Sequence, residues 1–229
     1  MLIMGLNKTT LLDYPGKVAA TIFTGGCNFR CPYCHNMDLV INVPVEYRIP
    51  EETVMEHLRK RRNVLEGVCI TGGEPTVQPD LRRFIEDIKE LGYAVKLDTN
   101  GSDPAILKSL IDDKLVDYVA MDIKNSKERY IETAACTDKM LEDIDASVHI
   151  LLENRTDYEF RTTIMKELHT KEEILKIAEW IKGAKHWYFQ CYEESDKVME
   201  KRFSAYSKEE LEELKSLVTD IDVSIRGVY

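Results

Sequence analysis

Cys27, Cys31 and Cys34 stand in a C-x3-C-x2-C pattern directly after a strand-like run that ends in Gly25-Gly26. Cysteines this close together can hold a metal centre as thiolates. An iron–sulfur cubane usually takes four cysteines, so three would leave one iron without a protein ligand and able to bind something else. Zinc is the alternative, with His35 or a distant side chain as fourth ligand. No second paired Cys/His motif completes that set, and a purely structural zinc gives no reason for the polar strand faces described below. Cys69, Cys136 and Cys191 are isolated and read as small buried apolar residues rather than as parts of a disulfide framework.

Short β-like runs alternate with amphipathic helical stretches around this cluster, the pattern of repeated βα units on a parallel sheet. Strands are predicted at Val18–Thr24, Val68–Gly72, Ala94–Thr99, Tyr118–Lys124, Tyr158–Ile164 and His186–Tyr192. Helices are predicted at Glu51–Asn63, Pro79–Leu91, Asp103–Asp112, Asp138–Leu152 and Lys171–Lys182. A further helix over Ser207–Thr219 opens on a Ser207/Glu210 capping box, and Asp222–Arg226 forms a short last strand. Asp103-Pro104 reads as an N-cap followed by proline in the first turn. The expected fold is α/β, an incomplete (β/α)6 TIM-like barrel of parallel strands. It forms a single domain over residues 1–229, with the core barrel at about 17–192 and a short C-terminal helix/strand extension.

Alternation within the strands says what the barrel encloses. Val95 and Leu97 oppose Lys96 and Asp98; Val119, Met121 and Ile123 oppose Asp122 and Lys124. Tyr158 and Phe160 oppose Glu159, Arg161 and Thr163, and Trp187 and Phe189 oppose His186 and Gln190. Helices must cover the apolar faces, so the charged faces point inward. Lys96, Lys124 and Arg161 balance Asp98, Asp122 and Glu159, as half-buried charges must if they are to stay ionised. A polar lumen of this kind suits a zwitterionic ligand.

The formal net charge of −10 argues against general nucleic-acid binding, which draws on cationic surface. No run of residues is long and apolar enough to span a membrane, and the apolar opening Met1–Leu6 lacks a basic leader or cleavage site. The expected location is the cytoplasm, without membrane association. Arg59-Lys60-Arg61-Arg62 reads as the solvated, dipole-favoured end of a helix, or as a docking patch for an acidic protein. His149 reads as a helix-surface histidine.

With Tyr33 before its third cysteine, the cluster resembles the signature of the radical S-adenosylmethionine (SAM) enzymes. Gly72-Gly73-Glu74-Pro75, after the next strand, resembles the segment of that family whose backbone binds the amino group of the cofactor's methionine. Thr10-Leu-Leu-Asp13-Tyr-Pro-Gly16-Lys17, Cys34-His35-Asn36, Asp98-Thr99-Asn100-Gly101 and Met121-Asp122-Ile-Lys124 are similar to segments of the glycyl-radical-enzyme activases. Among these, the activating proteins of anaerobic ribonucleotide reductase are the most similar. The matches run from about residue 5 to 192, and the last 37 residues match nothing.

The resemblance implies that Cys27, Cys31 and Cys34 ligate a [4Fe-4S] cluster, that Tyr33 lies along the adenine, and that His35 belongs to the cofactor site. It implies that Gly72 belongs to the cofactor site, that Gly73 and Glu74 approach the methionine amino group, and that Asp122 and Lys124 hold the ribose and the methionine carboxylate. It also implies a monovalent-cation site at Asp98, Thr99, Asp122 and the Ala120 carbonyl. The inward strand faces select Asp98, Asp122 and Lys124 independently, but not Thr99. Gln190 stands where the pyruvate formate-lyase activase has a cofactor-contacting histidine, and Arg161 is either a cofactor contact or a partner of Glu159.

The implied reaction is reductive cleavage of SAM to a 5′-deoxyadenosyl radical, which generates a glycyl radical on a partner enzyme, here anaerobic ribonucleotide reductase. Flavodoxin or ferredoxin is the expected reductant. The alternatives are a radical SAM enzyme acting on a small molecule, such as a 7-carboxy-7-deazaguanine synthase, and a non-catalytic zinc-binding module.

Overall fold

The structure is a computed structural model that describes residues 1–41, 43–194 and 198–227. Its strands are β1 (Ile3–Thr10), β2 (Ala19–Thr24), β3 (Gly67–Gly72), β4 (Ala94–Thr99), β5 (Tyr118–Asp122), β6 (Asp157–Ile164), β7 (His186–Cys191) and β8 (Asp222–Arg226). They form one sheet in sequence order, with β1 antiparallel to β2 and every other neighbour parallel. The sheet does not close, so β1 and β8 are its two edges. The helices are α1 (Met37–Val40), α2 (Glu51–Lys60), α3 (Leu81–Glu90), α4 (Pro104–Asp112), α5 (Lys127–Ala134), α6 (Asp138–Leu152), α7 (Lys171–Trp180) and α8 (Lys208–Ser216). Among the described residues, no helix is long and apolar enough to cross a membrane.

Local chemistry explains the helix starts. Asp103 accepts a hydrogen bond from the Ile106 N–H at 3.0 Å, and Pro104 opens α4. The Ser207/Glu210 capping box forms at the head of α8. Apolar spacing then turns each helix onto the sheet: Leu81, Phe84, Ile85 and Ile88 of α3 are all buried, as are Val68 and Ile70 on the outer face of β3.

Strand β1 was not predicted. It is an edge strand whose middle residues Asn7, Lys8 and Thr9 are exposed, so it lacks the half-buried alternation that marks the others. Helices α1 and α5 also escape the pattern, being only four and eight residues long.

The loop from β1 to β2 forms a floor under the barrel. Tyr14 is 2% exposed, packs at a tilt against Tyr118 with ring centroids 6.1 Å apart, and comes so close to Gly67 that a Cβ there would lie 2.9 Å from its ring. Of the Leu-Asp-Tyr-Pro-Gly segment that resembles the activases, Tyr14 is thus a structural plug at the starts of the strands, while Leu12, Pro15 and Gly16 are exposed. Above it, the fully buried Glu159 accepts from the Tyr118 hydroxyl at 2.8 Å and pairs through both oxygens with Arg226 of β8, at 2.7 and 2.9 Å. The Arg226 guanidinium lies 3.4 Å from the Tyr188 ring centroid. Glu159 therefore finds its cation on the last strand and not in Arg161.

The Arg59–Arg62 island also lies at this end. It closes α2, and residue 66 already bonds Val18 at the start of β2. Arg59 and Lys60 pair with Glu52 and Glu56 at 2.6 and 3.5 Å. The length of β3, about 20 Å at the usual rise per residue, separates the island from the cysteine loop, which favours the helix-end reading over electron delivery.

Arg226→Ala should destabilise the fold by about 3 kcal/mol in urea titrations, because it strands a buried carboxylate. Adding Glu159→Gln to that variant should recover part of the loss.

Candidate functional site

The parallel strands all end on one side of the sheet, and their C-terminal ends surround a cavity of about 250 Å³. All fourteen residues singled out from the sequence line it: Cys27, Cys31, Tyr33, Cys34, His35, Gly72, Gly73, Glu74, Asp98, Thr99, Asp122, Lys124, Arg161 and Gln190.

Two loops make its mouth. The cysteine loop follows β2, and the Gly72–Pro75 loop follows β3, which pairs with β2 as far as Thr24↔Gly72. The Gly73 N–H donates to the Thr24 carbonyl at 2.9 Å, and the Glu74 N–H donates to the Gly26 carbonyl at 2.8 Å. A trans peptide points its C=O opposite its N–H, so the Gly72 and Gly73 carbonyls turn away from the Thr24 and Gly26 carbonyls. The Gly72 carbonyl accepts from Asn36 Nδ2 at 3.3 Å. This close approach requires glycine: a Cβ on Gly73 would fall 2.0 Å from the Gly26 oxygen, and Gly72 has φ +121°.

The Glu74 side chain has a structural task. Its carboxylate is buried and accepts from Thr76 N (3.0 Å), Thr76 Oγ1 (2.6 Å), Thr99 Oγ1 (2.7 Å) and Asn100 N (2.6 Å). It braces the ends of β3 and β4 against each other, which leaves only its main chain for a ligand. Burial raises its pKa, and the four hydrogen bonds only partly oppose that. Thr99, the last residue of β4, lines the cavity although strand alternation excludes it; its hydroxyl is held by Glu74.

Arg161 organises the lumen. Its Nη1 meets Asp98 at 2.9 Å and its Nε meets Asp122 at 2.9 Å. Lys96 pairs with Asp98, and Lys124 pairs with Asp122 at 2.9 Å. Burial by itself would raise the Asp122 carboxyl, but Arg161 and Lys124 outweigh it and hold the group at about 2; the same balance lowers Asp98. Three cations face two carboxylates at this level, a surplus of one positive charge. The Arg161 guanidinium bridges the two carboxylates of the expected monovalent-cation site.

The thiols are shielded. Burial pushes Cys27 up to about 11 and Cys31 to about 12, so a metal ion must displace their protons before they can bind it as thiolates. Among the described residues, no group of three His, Cys, Asp or Glu side chains converges on a point that one metal ion could occupy. His35 Nε2 contacts the Glu193 carbonyl at 2.6 Å and must donate there, a bond that holds the cysteine loop to the chain after β7 and leaves Nδ1 as the acceptor nitrogen.

Three groups escaped the sequence patterns. The chain after β7 packs on the cysteine loop, with the Glu200 N–H donating to the Pro32 carbonyl at 3.0 Å and Phe203 edge-on to Tyr33 at 5.9 Å. Tyr33 is 4% exposed, and its buried hydroxyl has no partner. Asn28, Asn100 and Ser102 tie the cysteine loop to the end of β4, with Asn100 Nδ2 donating to Asn28 Oδ1 at 2.9 Å and Asn28 Nδ2 to Ser102 Oγ at 2.7 Å. His169 is fully buried below Lys124; it accepts from the Met165 N–H at 3.2 Å through Nδ1 and donates to the Lys124 carbonyl at 2.9 Å through Nε2. Asn100 sits in a quoted motif, but nothing in the sequence marks His169 or Phe203. His149 lies on the exposed face of α6, as expected.

The family model of the radical SAM superfamily matches residues 21–181. A relative from Methanocaldococcus jannaschii, provisionally named a glycyl-radical enzyme activating enzyme, is 33% identical over 93% of this chain and 90% of its own length. The 7-carboxy-7-deazaguanine synthase of Methanopyrus kandleri is 29% identical over 68% of this chain and 70% of its own. Among solved structures, Streptococcus suis SuiB bound to S-adenosylmethionine superposes with a TM-score of 0.71 at 17% identity. That superposition covers 88% of this chain, which spans about half the length (48%) of SuiB.

Gly73→Ala should cost about 2 kcal/mol in chemical unfolding, since its methyl would be driven into backbone. His169 carries a pH signature. Burial lowers it from 6.5 to about 4, so between those values the unfolded chain takes up the proton more readily, and stability falls as the pH drops through that window. Between pH 7 and pH 5 this amounts to about 2 kcal/mol. In urea unfolding of the metal-free protein, His169→Asn should lose about that much less over the same interval.

Proposed function

This chain belongs to the radical SAM superfamily and is an enzyme, and from that premise we propose that it is a glycyl-radical-enzyme activase whose partner is an anaerobic ribonucleotide reductase. Cys27, Cys31 and Cys34 would hold a [4Fe-4S] cluster, leaving one iron for the cofactor. When bound there, the cluster and SAM supply one-electron reductive cleavage of the sulfonium and a carbon-centred radical.

The cavity fits that cofactor, and one observation carries the fit: acceptor and donor groups line a single chamber together with the three thiols. The Gly72 and Gly73 carbonyls suit an ammonium, the surplus positive charge around Arg161 and Lys124 suits a carboxylate, and Asp122 suits hydroxyl donors. The absence of a convergent three-ligand point disfavours mononuclear zinc, whereas in a cluster each thiolate binds a different iron.

The residues of the chain do no acid–base work in this scheme. Glu74, Asn28 and Asn100 fix the two loops relative to β4, and Arg161 keeps Asp98 and Asp122 ionised and aligned. Phe203 and the strap around it cover Tyr33 and the cysteine loop, limiting water there. Flavodoxin or ferredoxin remains the proposed reductant, approaching on the side of the cysteine loop.

The second reading, action on a small molecule, has the M. kandleri synthase in its favour. The activase reading is favoured by the near full-length match to the M. jannaschii relative and by a sheet left open between β1 and β8, which admits a protein loop.

Protein reconstituted anaerobically should carry about four irons and absorb near 400 nm, and Cys31→Ala should abolish both. Incubated with SAM, a reductant and the reductase, it should yield a glycyl-radical doublet in electron paramagnetic resonance. SAM cleavage with no radical on the reductase would move the assignment to the small-molecule reading.

A further inference from the structure

Thr163 of β6 and Gln190 of β7 are direct partners in the register of these strands, so their side chains stand next to each other on the lumen face. They lie one inward position beyond Arg161, and both line the cavity. Every ionised group near them is already paired: Arg161 with Asp98 and Asp122, Lys124 with Asp122, and Lys96 with Asp98. Among the described residues, neither the Thr163 hydroxyl nor the Gln190 amide has a hydrogen-bond partner in the protein. The unmatched polarity of this wall is therefore neutral.

Gln190 offers one carbonyl acceptor and two N–H donors, and Thr163 a hydroxyl that donates or accepts. That set complements the N–H and C=O of a main-chain peptide group. Neither side chain brings a charge of its own for a free carboxylate or phosphate. Access also suits a chain: β7 is one strand from the sheet edge at β8, and no strand closes the gap to β1.

We propose that Thr163 and Gln190 form the substrate subsite, and that they bind the backbone of the partner's glycine-bearing loop. The assignment rests on the activase reading above and gives Gln190 to the substrate, where its strand position had suggested the cofactor. Both residues act by binding; neither exchanges a proton or an electron.

The test uses anaerobically reconstituted enzyme and a synthetic peptide carrying the carboxy-terminal glycyl loop of an anaerobic ribonucleotide reductase, with the intact reductase in parallel. Gln190→Ala should raise the KM for the peptide about tenfold and Thr163→Val about threefold, at near-constant kcat. Equilibrium binding of SAM should change less than about twofold in both. Gln190→Glu, which keeps the acceptor and shape but loses the donors, guards against a folding defect and should also raise KM.

If SAM binding weakens as much as KM rises, Gln190 is a cofactor contact and the proposal falls. An unchanged KM in all three variants also overturns it. Wild-type enzyme that cleaves SAM but forms no radical on peptide or reductase would refute the activase reading and this subsite together. That result is read on the wild type alone, so the two failures are distinct.

Discussion

The guanidinium of Arg161, held between Asp98 and Asp122, is the interaction on which the site depends. Two carboxylates that close, inside a barrel with helices outside, would otherwise take up protons or repel each other. With Lys96 and Lys124 beside them they stay ionised, and their positions are set by bonds from β4, β5 and β6 at once. The lumen can thus be charged without being loose. Its small positive surplus is a property of the ensemble and belongs to no single residue.

The mouth of the chamber follows a different principle. There the specific groups are backbone carbonyls, aimed by the hydrogen bonds their own peptides make to the cysteine loop. Glycine is needed because the two loops approach more closely than any Cβ allows. The Glu74 carboxylate, the most conspicuous side chain of this segment, works as a brace for the carbonyls and for Thr99.

Much of this was legible beforehand because it depends on local chemistry. Period-two alternation exposed the inward charges, since a parallel strand under helices must put its apolar residues outside. Capping chemistry marked the starts of α4 and α8. Strand β1 stayed hidden because an edge strand with an exposed middle has no such alternation. Pairing was also hidden. The charges on β4, β5 and β6 are plain in the sequence, yet Glu159 takes its cation from Arg226, 67 residues away and beyond any local pattern.

What the sequence by itself determined is the kind of chemistry and the level at which it occurs. Three clustered cysteines, a Gly-Gly turn and charged strand ends all fall at the C-terminal ends of parallel strands, where register brings them to one rim. Only the tertiary structure decided which of these groups remain free to act. Hydrogen bonds and ion pairs between distant segments take up Glu74, His35 and Thr99, bury His169 beneath Lys124 and bring Phe203 onto Tyr33. Among the described residues, the Thr163 and Gln190 side chains are left without a hydrogen-bond partner. Availability depends on what each group already touches, and those contacts are made across the fold.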